Sequence, residues 1–482
     1  MRAGSRPDSG SIGRHRSCIT AGRRRVLVPS RILRLGVHDQ GMWSPGGCGM
    51  ASDPGLRWGS IVGRYDRQFW VLLAVQLIVA VGFGAAMPFV SIYLHNQLGA
   101  PMTVVGTVML VSALAAAVGR VVGGEAADRI GRRPVLITSM SLRIAAFVLM
   151  AYVIHQRLPA LAVGGAFLVV RFAGALVRPA LMATVADIVG PVRRVEAYAL
   201  FRIGANAGWA VGPAIGGFLV ATSYASLFLL TAAASVVGLV IVVLFTRETM
   251  SHTIPGGFSL RSLLGVARDR QFLVFIGWCA VLFLLMGQFA STLGVFSTSV
   301  LGITEAQLGL LFTVNGLAVV LLQWPAARLA ARIGVRWGLV VGCMLYALGY
   351  FSVAFATGFG WLVASMLVIT SGEVVFSPTS TAAVANMAPA ARVGRYMGLF
   401  GLTEAVGWSG GPFIGGVLFD MLHRAPVAMW GAIGSLGVIA AGGFAATLRP
   451  CAEAQAANPS LLETVRDGEG EPPTSLREDM EA

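Results

Sequence analysis

Few side chains in this sequence are placed to move a proton or to hold a charge away from water. Glu373 stands alone in an apolar run that covers residues 359–386. If that run crosses a bilayer, an ionised group at its centre costs about 2.5–3.5 kcal/mol on insertion scales and needs a reason. Two reasons are open: coupling to protons or substrate, or a structural pairing with an arginine or a serine. Arg171 and Arg178 share another apolar run, 160–187, seven residues apart and so about two helical turns along one face. Arg171 is a candidate partner for Glu373. Arg178 is a candidate for a substrate anion, or a side chain that snorkels inward. A third set lies at run ends: Asp128, Arg129, Arg132, Arg133 and Asp187. Gln76, Gln288 and Asn315 are neutral polar groups inside apolar runs and candidates to line a cavity. Arg202 and Glu404 fall in two further runs, where structural pairing is expected; Arg143 has no partner evident in the sequence and is also read as structural.

Other chemistry lacks its residues. The five cysteines form no CxxC and have no histidine at ligand spacing, so neither a metal centre nor a disulfide framework is expected. No GxxxxGK[ST] and no HExxH is present, and the six histidines are scattered. No cofactor and no enzymatic activity are expected.

The elements that must position these residues follow from composition. Of 482 residues, 56% are hydrophobic and 12% charged, against about 25% charged in a soluble domain. The mean hydropathy is +0.75 and glycine occurs 61 times. Together these predict an all-α polytopic membrane protein. Twelve apolar runs have the length that spans about 30 Å of hydrocarbon: 69–94, 102–123, 134–154, 160–187, 196–221, 224–246, 272–298, 306–326, 337–356, 359–386, 395–420 and 425–448. The net charge of +14 comes from arginines in the short loops between runs, a pattern that argues against nucleic acid as a partner. Alternate loops carry Arg129, Arg132 and Arg133; Arg193 and Arg194; Arg247, Arg261, Arg268 and Arg270; Arg328, Arg332 and Arg336; Arg392 and Arg395. The opposite loops carry only Arg157 and Arg424. The positive-inside rule then places both termini in the cytoplasm.

Residues 1–65 read as a disordered basic tail, with no secretory signal: Val26-Leu27-Val28 is too short for its apolar core. Met50 is an alternative start. Residues 66–246 and 272–448 read as two six-helix bundles, 247–271 as the cytoplasmic connection and 449–482 as a disordered acidic tail.

A duplication relates the two bundles. Gly208-Trp-Ala-Val-Gly212-Pro213-Ala-Ile-Gly216-Gly217 returns, 199 residues on, as Gly407-Trp-Ser-Gly-Gly411-Pro412-Phe-Ile-Gly415-Gly416. The glycines allow close helix approach and the prolines bend the helix. Pro179 and Pro378 match at the same offset.

Between the second and third runs lies Gly124-Glu-Ala-Ala-Asp128-Arg129-Ile-Gly131-Arg132-Arg133. This resembles the G-x-x-x-D-R-x-G-R-R loop of the major facilitator superfamily. A degraded copy occupies 327–336, with Ala331 where the first has Asp128. The glycine–proline repeat resembles a signature often associated with the superfamily's drug/proton antiporters. Over roughly residues 66–448 the resemblance implies a monomeric secondary transporter of the inner, plasma membrane. Its halves rock about a central solute site. In it, Asp128, Arg132 and Asp187 latch the halves on the cytoplasmic side, the other reading of these residues being a tight charged turn that only sets topology. The tenth helix, which carries Glu373, lines the central cavity, where Glu373 with Arg171 is the candidate for coupling protons or substrate. Proton-driven efflux of small hydrophobic compounds is the expectation. Import or export of sugars, amino acids or other metabolites is the alternative, and a non-transporting receptor of the same fold a distant one. The first run has no acidic residue, which leaves Glu373 as the main proton-coupling candidate.

Overall fold

A computed structural model describes residues 63–190, 193–250, 269–289, 291–389 and 392–448. The expected termini, including Met50, and most of the central connection lie outside these residues. The described chain is helical, with no strand among the described residues. Its helices are α1 (Arg67–Gln97), α2 (Met102–Ile130), α3 (Arg132–His155), α4 (Ala160–Ile188), α5 (Arg194–Val220) and α6 (Tyr224–Phe245). They continue as α7 (Arg270–Met286, with a short extension Thr292–Ser299), α8 (Glu305–Ala330), α9 (Arg332–Phe355), α10 (Phe359–Met387), α11 (Val393–Leu422) and α12 (Pro426–Thr447).

Ten of these are long and apolar enough to cross a membrane. The other two of the expected twelve are α7 and α11. The predicted run 272–298 is not one helix. It breaks after Met286, because Gly287 packs against the Trp408 carbonyl of α11 and the Gln288 side chain turns into the gap. Val393–Leu422 has the length, but its composition is diluted by Arg395, Glu404 and several glycines.

Local chemistry sets the ends. The Asp66, Ser223 and Asp269 side chains accept backbone N–H bonds at the starts of α1, α6 and α7, and Thr304 with Gln307 forms a capping box on α8. The α2–α3 corner turns on Gly131 (φ 114°) and the α8–α9 corner on Gly334 (φ 77°), a backbone region that other residues enter only with strain. The degraded loop copy has thus kept its turn while losing its acid.

The helices pack as two matching sets. In the first, α1 meets α5 and α6, α3 meets α4 and α6, and α2 meets α4; in the second, α7 meets α11 and α12, and the α8–α9 pair meets α10 and α12. The sets touch along α2 with α11 and along α5 with α8.

The repeated glycines make these contacts. Gly208, Gly212 and Gly216 face α1 at Ala80, Val81 and Ala85, and Gly407 and Gly411 face α7 at Phe283 and Leu284. Gly415 lies against Gln288 and Thr292. The last glycine of each copy crosses to the other set: Gly217 lies on the Glu305 backbone and Gly416 on that of Met102. The Pro213 and Pro412 carbonyls abut Gly309 on α8 and Gly106 on α2. Gly212→Val puts a branched side chain where the α1 backbone already lies. It is expected to cost about 1–3 kcal/mol through overpacking, seen as a lower thermal transition in detergent; an unchanged transition contradicts the contact.

Candidate functional site

Where the two sets face each other, a cavity of about 260 Å³ opens toward α8, α9 and α10. Glu373 lines it from α10. The Asn315 side-chain amide on α8 donates to the Glu373 carboxylate (3.2 Å) and to Thr370 Oγ1 (2.9 Å), which in turn donates to the Met366 carbonyl. Six aromatic side chains form much of the remaining wall, Trp209, Phe289, Phe312, Tyr346, Tyr350 and Trp408, with Met286, Val319 and Ile369 between them and Asn206 as a second amide beside Asn315. Phe289 and Phe312 pack with centroids 4.7 Å apart, and Tyr346 stacks on Tyr350 at 6.4 Å. The Tyr350 hydroxyl is buried at the wall without a hydrogen-bond partner. One carboxyl in an aromatic chamber offers an anion to a cation and π faces to its apolar body.

Of the three neutral groups, Asn315 lines this cavity and the other two do not. Gln288 is wholly buried. Its amide donates to the Gly411 carbonyl (2.7 Å) and its oxygen accepts from Thr292 (2.6 Å), which fastens the α7 break to α11. Gln76 is half-buried on α1, with no side-chain hydrogen bond among the described residues. Arg171 does not reach Glu373. Its guanidinium lies over the Phe83 ring, 5.8 Å from the centroid, and the cation acting on Glu373 is Arg202 of α5. Arg178 is exposed and, with Arg202, acts on Glu404 across the space between the sets.

The loop residues do meet. The Arg132 guanidinium donates to Asp128 (2.5 Å), to Asp187 (3.2 Å) and to the Ala127 carbonyl (2.7 Å). Thr249 also donates to Asp187, and Arg133 to the Val243 carbonyl. Arg129 pairs with Glu125 on the surface. These bonds tie α2, α3, α4 and the chain leaving α6 to one another; among the described residues none reaches α7–α12. Arg132→Ala is expected to lower stability by about 1–2 kcal/mol, modest because Asp128 is mostly exposed and water replaces part of the loss. A detergent melting curve reads it, and an unshifted curve contradicts it.

Glu248 was not anticipated. Partial burial works against its charge, but the backbone N–H groups of Met250, Arg132, Arg133 and Thr249 hold its carboxyl below the usual glutamate range. A depressed carboxyl stabilises the fold above the unfolded value of about 4.3 and loses that contribution as pH falls through the folded value. Glu248→Gln is therefore expected to lower the thermal transition at pH 7 and to flatten its fall below about pH 4.3; parallel pH profiles contradict this.

The opposite end of the bundle joins the two sets. Asp420, at the end of α11, accepts from Met102 N (2.8 Å), Thr103 N (2.7 Å) and Thr103 Oγ1 (2.7 Å) at the start of α2. Tyr224 donates to Glu305 (2.9 Å) and Asn96 to Thr298 (3.0 Å). Among the described residues, the hydrogen bonds between the sets all lie at this end.

The family model described as Major Facilitator Superfamily matches residues 72–304 and 279–478. The multidrug resistance protein MdtH of Edwardsiella ictaluri is 27% identical over 385 residues, covering 77% of this chain and 91% of the relative. The MFS-type transporter YttB of Bacillus subtilis is 27% identical over 366 residues, covering 73% and 89%. Among solved structures, the nucleoside transporter NupG aligns with a TM-score of 0.66 at 14% identity, covering 80% of this chain and all of that one. A POT family transporter in complex with 5-aminolevulinic acid aligns with a TM-score of 0.65 at 17% identity, covering 78% and 94%. At such identities the structures speak for the fold.

Proposed function

The chain belongs to the Major Facilitator Superfamily and is a multi-pass membrane transporter of small solutes; from that premise we propose that it exports lipophilic, weakly cationic compounds in exchange for protons. The observation that carries this reading is the single carboxyl, Glu373, in a chamber whose remaining wall is largely aromatic and aliphatic, with Asn206 and Asn315 as its amides. Aromatic walls take up varied apolar bodies, and the carboxyl serves in turn a cation or a proton, which is the competition an antiporter needs. The name of the MdtH relative, a multidrug resistance protein, supports the same direction.

Alternating access follows from the two sets of helices as rocking halves. The arginine-rich loops support an orientation with the Asp128 end, and both termini, on the cytoplasmic side of a bacterial inner membrane. The Asp420 end is then the outer one. In this structure it is joined, while the Asp128 cluster binds only its own half, so the arrangement suits a cytoplasm-facing state. When the halves close at the cytoplasmic side, Asp128 becomes available to α11 as a latch, and Arg178 and Arg202 approach Glu404.

Equilibrium binding of tetraphenylphosphonium to purified protein tests the site. Glu373→Gln is expected to weaken this cation about tenfold and to leave a neutral aromatic of similar size nearly unaffected. Equal affinity of both proteins for the cation refutes the assignment.

A further inference from the structure

The first six helices carry an unbalanced set of charges. Apart from acids at helix ends (Glu125, Asp128, Asp187 and Glu196), residues 67–247 contain no carboxylate. Yet Arg143 of α3 is 4% exposed, and Arg171 of α4 is half-buried beside it. The two guanidiniums address the same ring: Arg143 lies 5.7 Å and Arg171 5.8 Å from the Phe83 centroid, and Arg143 also faces Phe147 at 5.1 Å. Their donors are largely unused. Arg143 Nε donates to Ser235 Oγ (3.2 Å), but Arg143 Nη2 and Arg171 Nε are buried with no partner. Gly174 keeps the space clear: a Cβ there meets Arg143 Nη1 at 3.3 Å.

Aromatic faces soften two neighbouring cations, one buried and one half-buried, but do not neutralise them, and their buried, unpaired donors demand an acceptor in a low-dielectric interior. Arg120 of α2 and Arg178 of α4 are exposed, and Arg178 acts on Arg120 and Arg120 on Arg171, so positive charge runs from exposed positions inward to the pair. Phe83 also packs edge-on against Trp209, a wall of the aromatic cavity, at 6.0 Å.

We propose that Arg143 and Arg171 form a binding site for a monovalent anion, either a free halide or the carboxylate of an organic solute. The site lies in the first half, opposite the carboxyl of the second, and stands independently of the Glu373 reading.

The test is the thermal transition of the purified protein at constant ionic strength, with gluconate replaced stepwise by chloride or by benzoate. A saturable rise of about 3 °C or more is expected with at least one of them, as ligand linkage requires. A rise with chloride and benzoate alike assigns a general anion site, and a rise with benzoate alone assigns a solute carboxylate. Arg171→Gln and Arg143→Gln should each abolish the rise, whereas Glu373→Gln should keep it, which separates this site from the cavity carboxyl. If a glutamine variant does not fold, saturable binding of radiolabelled benzoate or chloride to the unaltered protein, tenfold weaker in Arg171→Lys, serves instead. No saturable effect in the unaltered protein, or an undiminished one in the arginine variants, overturns the proposal.

Discussion

Glu373→Gln is expected to abolish solute movement driven by a pH gradient while sparing exchange of solute at equal pH. The amide is nearly isosteric, and its oxygen still accepts the Asn315 hydrogen bond, so the wall of the cavity keeps its shape. What disappears is the ability to lose a proton. α1 carries no carboxyl to take over, and the remaining acid of the second half's interior, Glu404, lies nearer the cytoplasmic end and faces Arg202 and Arg178. Gradient-driven uptake should fall at least tenfold, equivalent to about 1.4 kcal/mol of coupling. Equal-pH exchange at saturating solute, where a tenfold weaker site is still filled, should fall no more than about threefold. Retained coupling removes Glu373 from the proton path.

Asp420→Ala should have the second largest effect, on the balance of conformations. The carboxylate accepts three hydrogen bonds at the first turn of α2, where the helix dipole also favours an anion. Because Asp420 is exposed, water recovers part of what the substitution removes, and a net change of about 1–2 kcal/mol is reasonable. That corresponds to about a 5–30-fold shift in a two-state equilibrium toward opening at the outer end. A cysteine introduced at Phe289, in an otherwise cysteine-free protein, should then react that much faster with an impermeant thiol reagent added outside. An unchanged rate would mean that Tyr224–Glu305 and the α2–α11 glycine contacts hold the end closed without it.

Much of the architecture was legible because membrane helices write it in composition. Apolar runs marked the helices, arginines marked alternate loops, and the duplicated glycine–proline stretch tied α5 to α11. The glycines proved to face equivalent helices in the two halves, with one glycine of each copy turned across the seam. The cavity was less legible. In a uniformly apolar helix no periodicity tells which aromatic faces a chamber and which faces lipid, so Tyr346, Tyr350, Phe289 and Phe312 carried no mark. Trp209 and Trp408 did carry one: each is the second residue of its repeat copy, and both line the cavity. Gln288 misled because a polar group in an apolar run has two uses, and here it closes a helix break. Asp420 and Glu248 escaped notice because an acid at the end of a run looks like an ordinary loop residue until the N–H groups it faces are known.

Transport itself is the most direct test. Purified protein in proteoliposomes, with an imposed pH gradient and tetraphenylphosphonium as solute, should accumulate the cation on the acidic side against its concentration gradient, and a protonophore should release it. Movement indifferent to the pH gradient, or no movement of this or any other lipophilic cation, contradicts proton-coupled export through the Glu373 cavity.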